Sequence, residues 1–283
     1  MESLISIIIP CYNDWQYVEE AINSALNQTY TNKEVIVVDD GSNTKTKEVL
    51  EQLELKITKL ITQENSGQSK ARNVGIEAAR GDYILVLDSD DFFDSTFCTK
   101  AMSAFADPKI TLVTSFTKRF DEFTSSLYYP QGGQLKDFLM YNEATGSAMF
   151  KKKDFLIAGG YDETMRFGFE DWEFYIRLLK NGGKAFVISE VLFNYRSKKN
   201  STTSKANKIK YKLWFFIYEK HKDLYCLYFE DFIIHLLYMI EREENEKNKN
   251  IERLEFRIGK AILSPLRYIK SFINKLFNSK EIV

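Results

Sequence analysis

The 283-residue chain has few cysteines, no long apolar run and almost no charge excess, and each shortage removes a class of protein. Its three cysteines, Cys11, Cys98 and Cys226, are widely spaced. They form neither a paired thiolate metal site nor a disulfide framework, and they read as reduced, buried thiols. Lys and Arg number 39 against 40 Asp and Glu, a net charge of -1. That balance gives no reason to expect a nucleic-acid partner. The apolar run Ile5 to Ile9 is far too short to cross a bilayer, and no other segment is long enough. Met1 to Pro10 lacks the basic start and small-residue cleavage site of a signal peptide. A cytoplasmic protein is expected, with membrane contact at most peripheral and on the inner face. There is no internal repeat.

What is present can build a core. Apolar residues make up 44% of the chain, enough for one large domain or one domain with an appendage. Strand and helix signals alternate from the start. Leu4 to Ile9, Val35 to Val38, Ile57 to Ile61 and Tyr83 to Leu87 read as strands. Asp14 to Asn27, Thr44 to Leu53 and Gln68 to Ala79 carry helical spacing. This order predicts an α/β fold with a mixed, mostly parallel sheet flanked by helices. Pro108 to Asn194 is expected to complete the sheet, and Lys198 to Lys205 reads as a loop. Beyond it the chain turns helical.

In such sheets ligands bind beyond the carboxyl ends of the strands. Those ends read Pro10-Cys11-Tyr12-Asn13, Asp39-Asp40-Gly41-Ser42, Asn65-Ser66-Gly67 and Asp88-Ser89-Asp90-Asp91. Three carboxylates within four residues repel one another, and a hard divalent cation with oxygen ligands relieves that repulsion best. Asp90 and Asp91 are the preferred ligands for Mn²⁺ or Mg²⁺ beside a phosphate. Asp88 points either to a ribose or to the structural side. The competing reading is an acidic turn ahead of the helix that begins near Ser95. Asp40 suits a base N–H or a ribose hydroxyl, or belongs to an ordinary turn that Gly41 permits. Asn65 and Lys70 stand at a glycine-led helix start that suits a polar or anionic ligand. Arg72 competes with Lys70 for that role, and either could be a solvated helix cation.

Glu170-Asp171-Trp172-Glu173 opens a later helix, with Trp172, Ile176 and Leu179 on a buried face. Glu173 and Arg177 are expected to pair on its outside. Asp171, ionised at the first turn, could take a proton from a hydroxyl. The competing reading, favoured for this segment taken alone, is an N-cap acid that only stabilises the helix.

Together these segments resemble family 2 glycosyltransferases with a GT-A fold. The carriers are Ile7 to Asn13, Val37 to Ser42, Asn65 to Gly67 with Ala71-Arg72-Asn73, Leu87 to Asp91, and Glu170-Asp171. The resemblance covers about Leu4 to Lys205. It implies a catalytic domain over 1–205, with a donor-binding half to about 107 and an acceptor-side half over 108–205. Residues 206–283 would be a helical C-terminal extension. It implies an inverting transfer from a nucleotide diphosphate sugar, with UDP the expected carrier, to a glycan or lipid-linked acceptor in surface polysaccharide or glycoconjugate synthesis. Pro10, Tyr12 and Asp40 would line the base and ribose pocket. Asp88, Asp90 and Asp91 would handle ribose, diphosphate and metal. Asp171 would be the general base, with Glu170 on the acceptor side.

The resemblance has limits. There is no Gln-x-x-Arg-Trp processivity motif and no spanning helix. A sugar-phosphate nucleotidyltransferase would need a Gly-rich basic loop after the first strand, and Asp14 stands there instead. A non-catalytic nucleotide-sugar-binding module would lack the carboxylates, and all are present. In the extension, Ile258, Ile262, Leu266, Ile269, Ile273 and Leu276 form one stripe, opposite Lys260, Arg267 and Lys270. That pattern suits a membrane surface, a homo-oligomer contact or the chain's own domain. His221 and His235, without a partner motif, read as structural.

Overall fold

A computed structural model of the chain describes residues 2–199 and 201–278. Its strands are β1 (Ile5–Cys11), β2 (Lys33–Asp39), β3 (Lys59–Thr62), β4 (Tyr83–Val86), β5 (Phe92–Phe93), β6 (Ile110–Phe120), β7 (Ser125–Tyr128), β8 (Met149–Lys151) and β9 (Lys184–Arg196). The helices are α1 (Val18–Leu26), α2 (Thr44–Leu53), α3 (Gln68–Ala78), α4 (Phe97–Ala104), α5 (Leu135–Met140), α6 (Lys152–Ala158), α7 (Glu170–Leu179), α8 (Thr202–Lys208), α9 (Lys210–Lys220), α10 (Lys222–Leu227), α11 (Phe229–Glu252) and α12 (Leu254–Asn278).

The sheet runs β3-β2-β1-β4-β8-β6-β9-β5, with β7 paired to β6. β3, β2, β1 and β4 are parallel to one another. β8 is antiparallel to both its neighbours, β4 and β6. The expected mixed, mostly parallel sheet is therefore present. All of β1 is buried, as a central strand covered on both faces requires. Helix α3 lies close enough on it that a Cβ at Gly75 would meet Ile8 Cγ2 at 2.5 Å. One buried carboxylate fastens the lower edge: Glu34 accepts from Ser6 Oγ at 2.6 Å and Arg80 Nε at 2.9 Å.

Several sequence expectations shift. The segment Lys198 to Lys205 is not all loop, because Ser201 caps α8 by accepting from Ser204 N–H at 3.1 Å. The chain divides into compact units Met1–Leu227 and Tyr228–Val283, so the first runs past the expected boundary at 205. The cause is burial of Leu213, Ile217, Leu224 and Tyr225 on α9 and α10. In the second unit, α11 exposes Ile234, Leu237 and Tyr238. On α12, Ile258 and Ile262 are exposed. The rest of the amphipathic stripe, Leu266, Ile269, Ile273 and Leu276 with Arg267 and Lys270, has side chains outside the described residues. Among the described residues no helix is long and apolar enough to cross a membrane.

The Glu173–Arg177 pair is inside, not outside. Glu173 is fully buried and accepts from Arg177 Nη2 at 2.6 Å. Lys220 lies at 2.8 Å and His221 Nε2 at 2.9 Å from its Oε1. Burial opposes its charge, yet His221, Arg177 and Lys220 together hold its carboxyl far below the usual range. This cluster ties α9 to α7, and it gives His221 the structural role expected for it.

A glutamate held that low adds stability above its unfolded pKa and loses it as pH falls. Glu173→Gln should therefore cost on the order of 3 kcal/mol at neutral pH. In urea melts from pH 7 downward, the gap to wild type should stay constant to about pH 5 and then close. An equal gap at pH 3 would contradict this.

Candidate active site

The site is assembled where β1, β2 and β4 end on the same edge. Asp40 follows β2, and its carboxylate organises the neighbouring loop. Oδ1 accepts from Gln63 Nε2 at 2.7 Å and Ser66 N–H at 2.8 Å, and Oδ2 from Gly67 N–H at 2.9 Å. Gly41 has φ +74°, and a Cβ there would sit 2.6 Å from Asn65 N. A side chain at that turn would expel the loop. Asn65 itself is exposed at the loop tip.

Past Gly67, α3 carries two polar side chains inward. Gln68 Nε2 donates to Asp88 Oδ1 at 2.9 Å. Arg72 is almost wholly buried, with Nη2 donating to Asp88 Oδ1 and Nη1 to Glu170 Oε1, each at 2.8 Å. Its guanidinium also lies over the Tyr161 ring, 5.2 Å from the centroid. A run of polar contacts thus leads from Asp40 to loop 63–67, along the chain to Gln68, and on to Asp88, Arg72 and Glu170. Lys70, on the same helix, instead pairs with Glu163 at 3.2 Å near the surface.

Asp171 follows Glu170 in the first turn of α7. Two consecutive left-handed residues, Gly168 (φ 104°) and Phe169 (φ 66°), aim the helix start. A Cβ at Gly168 would meet Ala206 Cβ at 2.8 Å, so α8 packs where only glycine fits. Asn142 Nδ2 donates to Asp171 Oδ2 at 3.0 Å. Burial raises the Asp171 carboxyl above its usual range, opposed by the Arg72 charge. Glu170 is raised for the same first reason.

The acidic turn after β4 has its own partners. Lys198 Nζ sits 2.6 Å from Asp90 Oδ2 and 2.9 Å from Asp14 Oδ1. Arg196 N–H donates to Asp91 Oδ1 at 2.7 Å, and Arg196 Nε to the Asp90 carbonyl at 3.0 Å. Arg196 also pairs with Glu20. Asp91 is buried, and its Oδ2 has no hydrogen-bond partner. Burial, then the neighbouring Asp90 and Asp88, push its carboxyl well above the ordinary range.

Among the described residues, no three acid, histidine or cysteine side chains converge on one point. The orphaned Asp91 Oδ2 beside Asp90 is nonetheless an all-oxygen donor set of the kind Mn²⁺ and Mg²⁺ accept. Phosphate oxygens and water would have to complete the shell.

Of the residues singled out from sequence, Asp40, Asp88 and Glu170 lie along this run of contacts, Asp171 follows Glu170 in the chain with its own partner Asn142, and Asp90 and Asp91 follow Asp88 in the same turn. Tyr12 is half-exposed just past β1, whereas Pro10 is buried within it, paired in register with Val38. Sequence reasoning missed Lys198, Asp14 and Asn142, and it underrated Arg72. Asp14 had a signal, an acid at a strand end. Lys198 and Asn142 had none.

The chain matches the family model described as "Glycosyl transferase family 2" over residues 6–172, more than half its length. It is 32% identical over 243 residues to an uncharacterised glycosyltransferase of Haemophilus influenzae, covering 78% of this chain and 90% of that one. It is 29% identical over 228 residues to TuaG of Bacillus subtilis, a putative teichuronic acid biosynthesis glycosyltransferase, covering 75% and 86%. Residues 1–349 of S. aureus TarS, solved with UDP, share the fold at TM-score 0.59 and 21% identity, covering 69% of this chain and 61% of that chain. The same TarS fragment with UDP-GlcNAc gives TM-score 0.58 at 22% identity.

Arg72→Met should leave the buried Glu170 without its cation and Asp88 with only Gln68, at a cost of about 3–5 kcal/mol. Adding Glu170→Gln to that variant should recover part of the loss. A double-mutant cycle in urea that finds the two changes additive would contradict the shared-counterion geometry.

Proposed function

The chain belongs to glycosyltransferase family 2, and on that premise we propose that it moves a sugar from a UDP-linked donor to an acceptor hydroxyl, with inversion, in polysaccharide or glycoconjugate synthesis. The observation that carries this reading is the run of contacts from Asp40 to Ser66 and Gly67, on along the chain to Gln68, and then to Asp88, Arg72 and Glu170, next to Asp171. UDP as carrier is supported by the TarS complexes with UDP and UDP-GlcNAc. A polysaccharide product is supported by the likeness to TuaG.

The base and ribose lie against Tyr12, Asp40 and the Asn65 loop. Asp90 and Asp91 would hold a divalent cation, Mn²⁺ or Mg²⁺, which would supply positive charge against the diphosphate leaving group. Asp88 is held by Gln68 and Arg72, with its carboxylate fixed beside the donor. Asp171 takes the proton from the acceptor hydroxyl. The acceptor oxygen then bonds to the anomeric carbon as the carbon–phosphate oxygen bond breaks, and that electron pair leaves with the diphosphate. Asn142 holds one oxygen of Asp171 in place, so the carboxylate does not rotate away. A single displacement needs one base and no second carboxylate nucleophile. Holding donor and acceptor together supplies much of the acceleration.

Asp171→Asn should lower turnover by roughly 10²–10⁴-fold and leave donor affinity intact. Isothermal titration with UDP alongside a product assay separates the two effects. Equal turnover in variant and wild type would sink the base assignment. Asp91→Asn should weaken UDP binding with Mn²⁺ present and change it little in EDTA. Because burial raises the Asp171 pKa, protonation removes the base earlier than for an ordinary aspartate. The acid limb of the pH–rate profile should therefore lie above the usual carboxylate range. A limb near pH 4, that of an unperturbed aspartate, would contradict it.

A further inference from the structure

The acidic turn after β4 is not empty of cations, because the chain supplies its own. Lys198 lies two residues past the end of β9, and its Nζ bridges Asp90 Oδ2 at 2.6 Å and Asp14 Oδ1 at 2.9 Å. Ser89 Oγ donates to the other Asp14 oxygen at 2.7 Å, which fixes that carboxylate toward the turn. Tyr17 gives the lysine a resting face, with Nζ 5.2 Å from the ring centroid, and Arg196 shares the same ring at 4.5 Å. Beside this bridge lies the buried Asp91 Oδ2 with no partner. The acidic turn is therefore partly neutralised by the chain itself. Asp90 has a lysine, and Asp91 keeps one buried oxygen without a hydrogen-bond partner.

A lysine and a divalent cation would compete for the same carboxylate, since Lys198 already occupies Asp90 Oδ2. Both cannot sit there without strong mutual repulsion at contact distance. A diphosphate brings fresh negative charge and accepts hydrogen bonds from an ammonium as well as a carboxylate does. Lysine suits such an exchange, since its charge is a point on a flexible stem with three donors.

We propose that Lys198 is the resident cation of the donor-free site, yielding Asp90 to the divalent metal and moving onto the donor diphosphate when the two bind together. The inference rests on the metal reading given above and adds an order to it: the metal enters with the nucleotide, not before it. Lys198 is then a positioning residue that keeps the acidic edge closed and metal-poor until a donor is present. The strand end carrying it stays anchored during the exchange, because Arg196 remains bound to Asp91 and Glu20.

The test is direct binding on the full chain, with Mn²⁺ followed by electron paramagnetic resonance and UDP by calorimetry. Nucleotide-free wild type should bind Mn²⁺ weakly, and UDP should tighten it. Lys198→Met should bind Mn²⁺ about tenfold more tightly without nucleotide, and UDP with Mn²⁺ about tenfold less tightly. Lys198→Arg, which keeps the charge, should stay near wild type in the Mn²⁺ titration. If UDP-loaded wild type takes up Mn²⁺ while Lys198→Met shows unaltered nucleotide-free affinity, the exchange is overturned and the metal reading stands. If wild type takes up no Mn²⁺ even with UDP, the metal reading falls and the exchange with it. Tighter Mn²⁺ with unchanged UDP affinity would remove the move onto the diphosphate.

Discussion

One buried guanidinium holds the two halves of this enzyme to a common purpose. Arg72 sits on the helix that follows loop 63–67, yet its two amino groups reach Asp88 just past β4 and Glu170 at the start of α7. The partners are separated by more than eighty residues of chain, and no other ion pair spans from that acidic turn to the helix bearing Asp171 among the described residues. Buried ion pairs are weak evidence for stability as such, since desolvation offsets their attraction. Their value here is geometric. Neither carboxylate can turn away without stranding a charge, so the strand end and the helix start are locked in register. Glu170, which the family resemblance placed toward the acceptor, spends one oxygen on this lock.

Around the lock, the acidic edge is arranged by charge. Asp40 is tied to backbone N–H groups, Asp88 to Arg72, Asp90 to Lys198, and Asp91 to the Arg196 backbone. Only Asp91 keeps a buried oxygen unused. A site that organises its acids with its own cations can wait for a ligand without self-repulsion tearing the edge open. On the proposed reading, ligand binding is an exchange of partners, and the loop beyond β9 belongs to the donor site together with the strand ends.

Much of this fold was legible from sequence because its signals are local and periodic. β-branched runs mark β1, β2 and β4, and helical spacing marks α2 and α3 at nearly their observed bounds. Turn chemistry at Asp39-Asp40-Gly41-Ser42 was equally readable, since a glycine with positive φ leaves a local trace. What failed to show was long-range. Arg72 looks like any helix cation until Asp88 and Glu170 fold onto it. Glu173 and Arg177 do pair at helical spacing, but Lys220 and His221 arrive from α9 and its C-cap and bury them. Lys198 contacts Asp14 across 184 residues, and nothing in a Ser/Thr-rich stretch announces that. The break of the compact unit at Leu227 depends on which apolar faces find partners, which periodicity alone does not reveal.

The central claim is that one donor site is shared by these distant segments. Hydrogen–deuterium exchange on the full chain, with and without UDP and Mn²⁺, addresses it in a single experiment. Added nucleotide and metal should slow exchange together in segments 11–14, 39–43, 63–68, 87–91 and 195–199. Slowing confined to the helices beyond residue 227, or absent from the acidic turn while UDP is bound, would contradict the account.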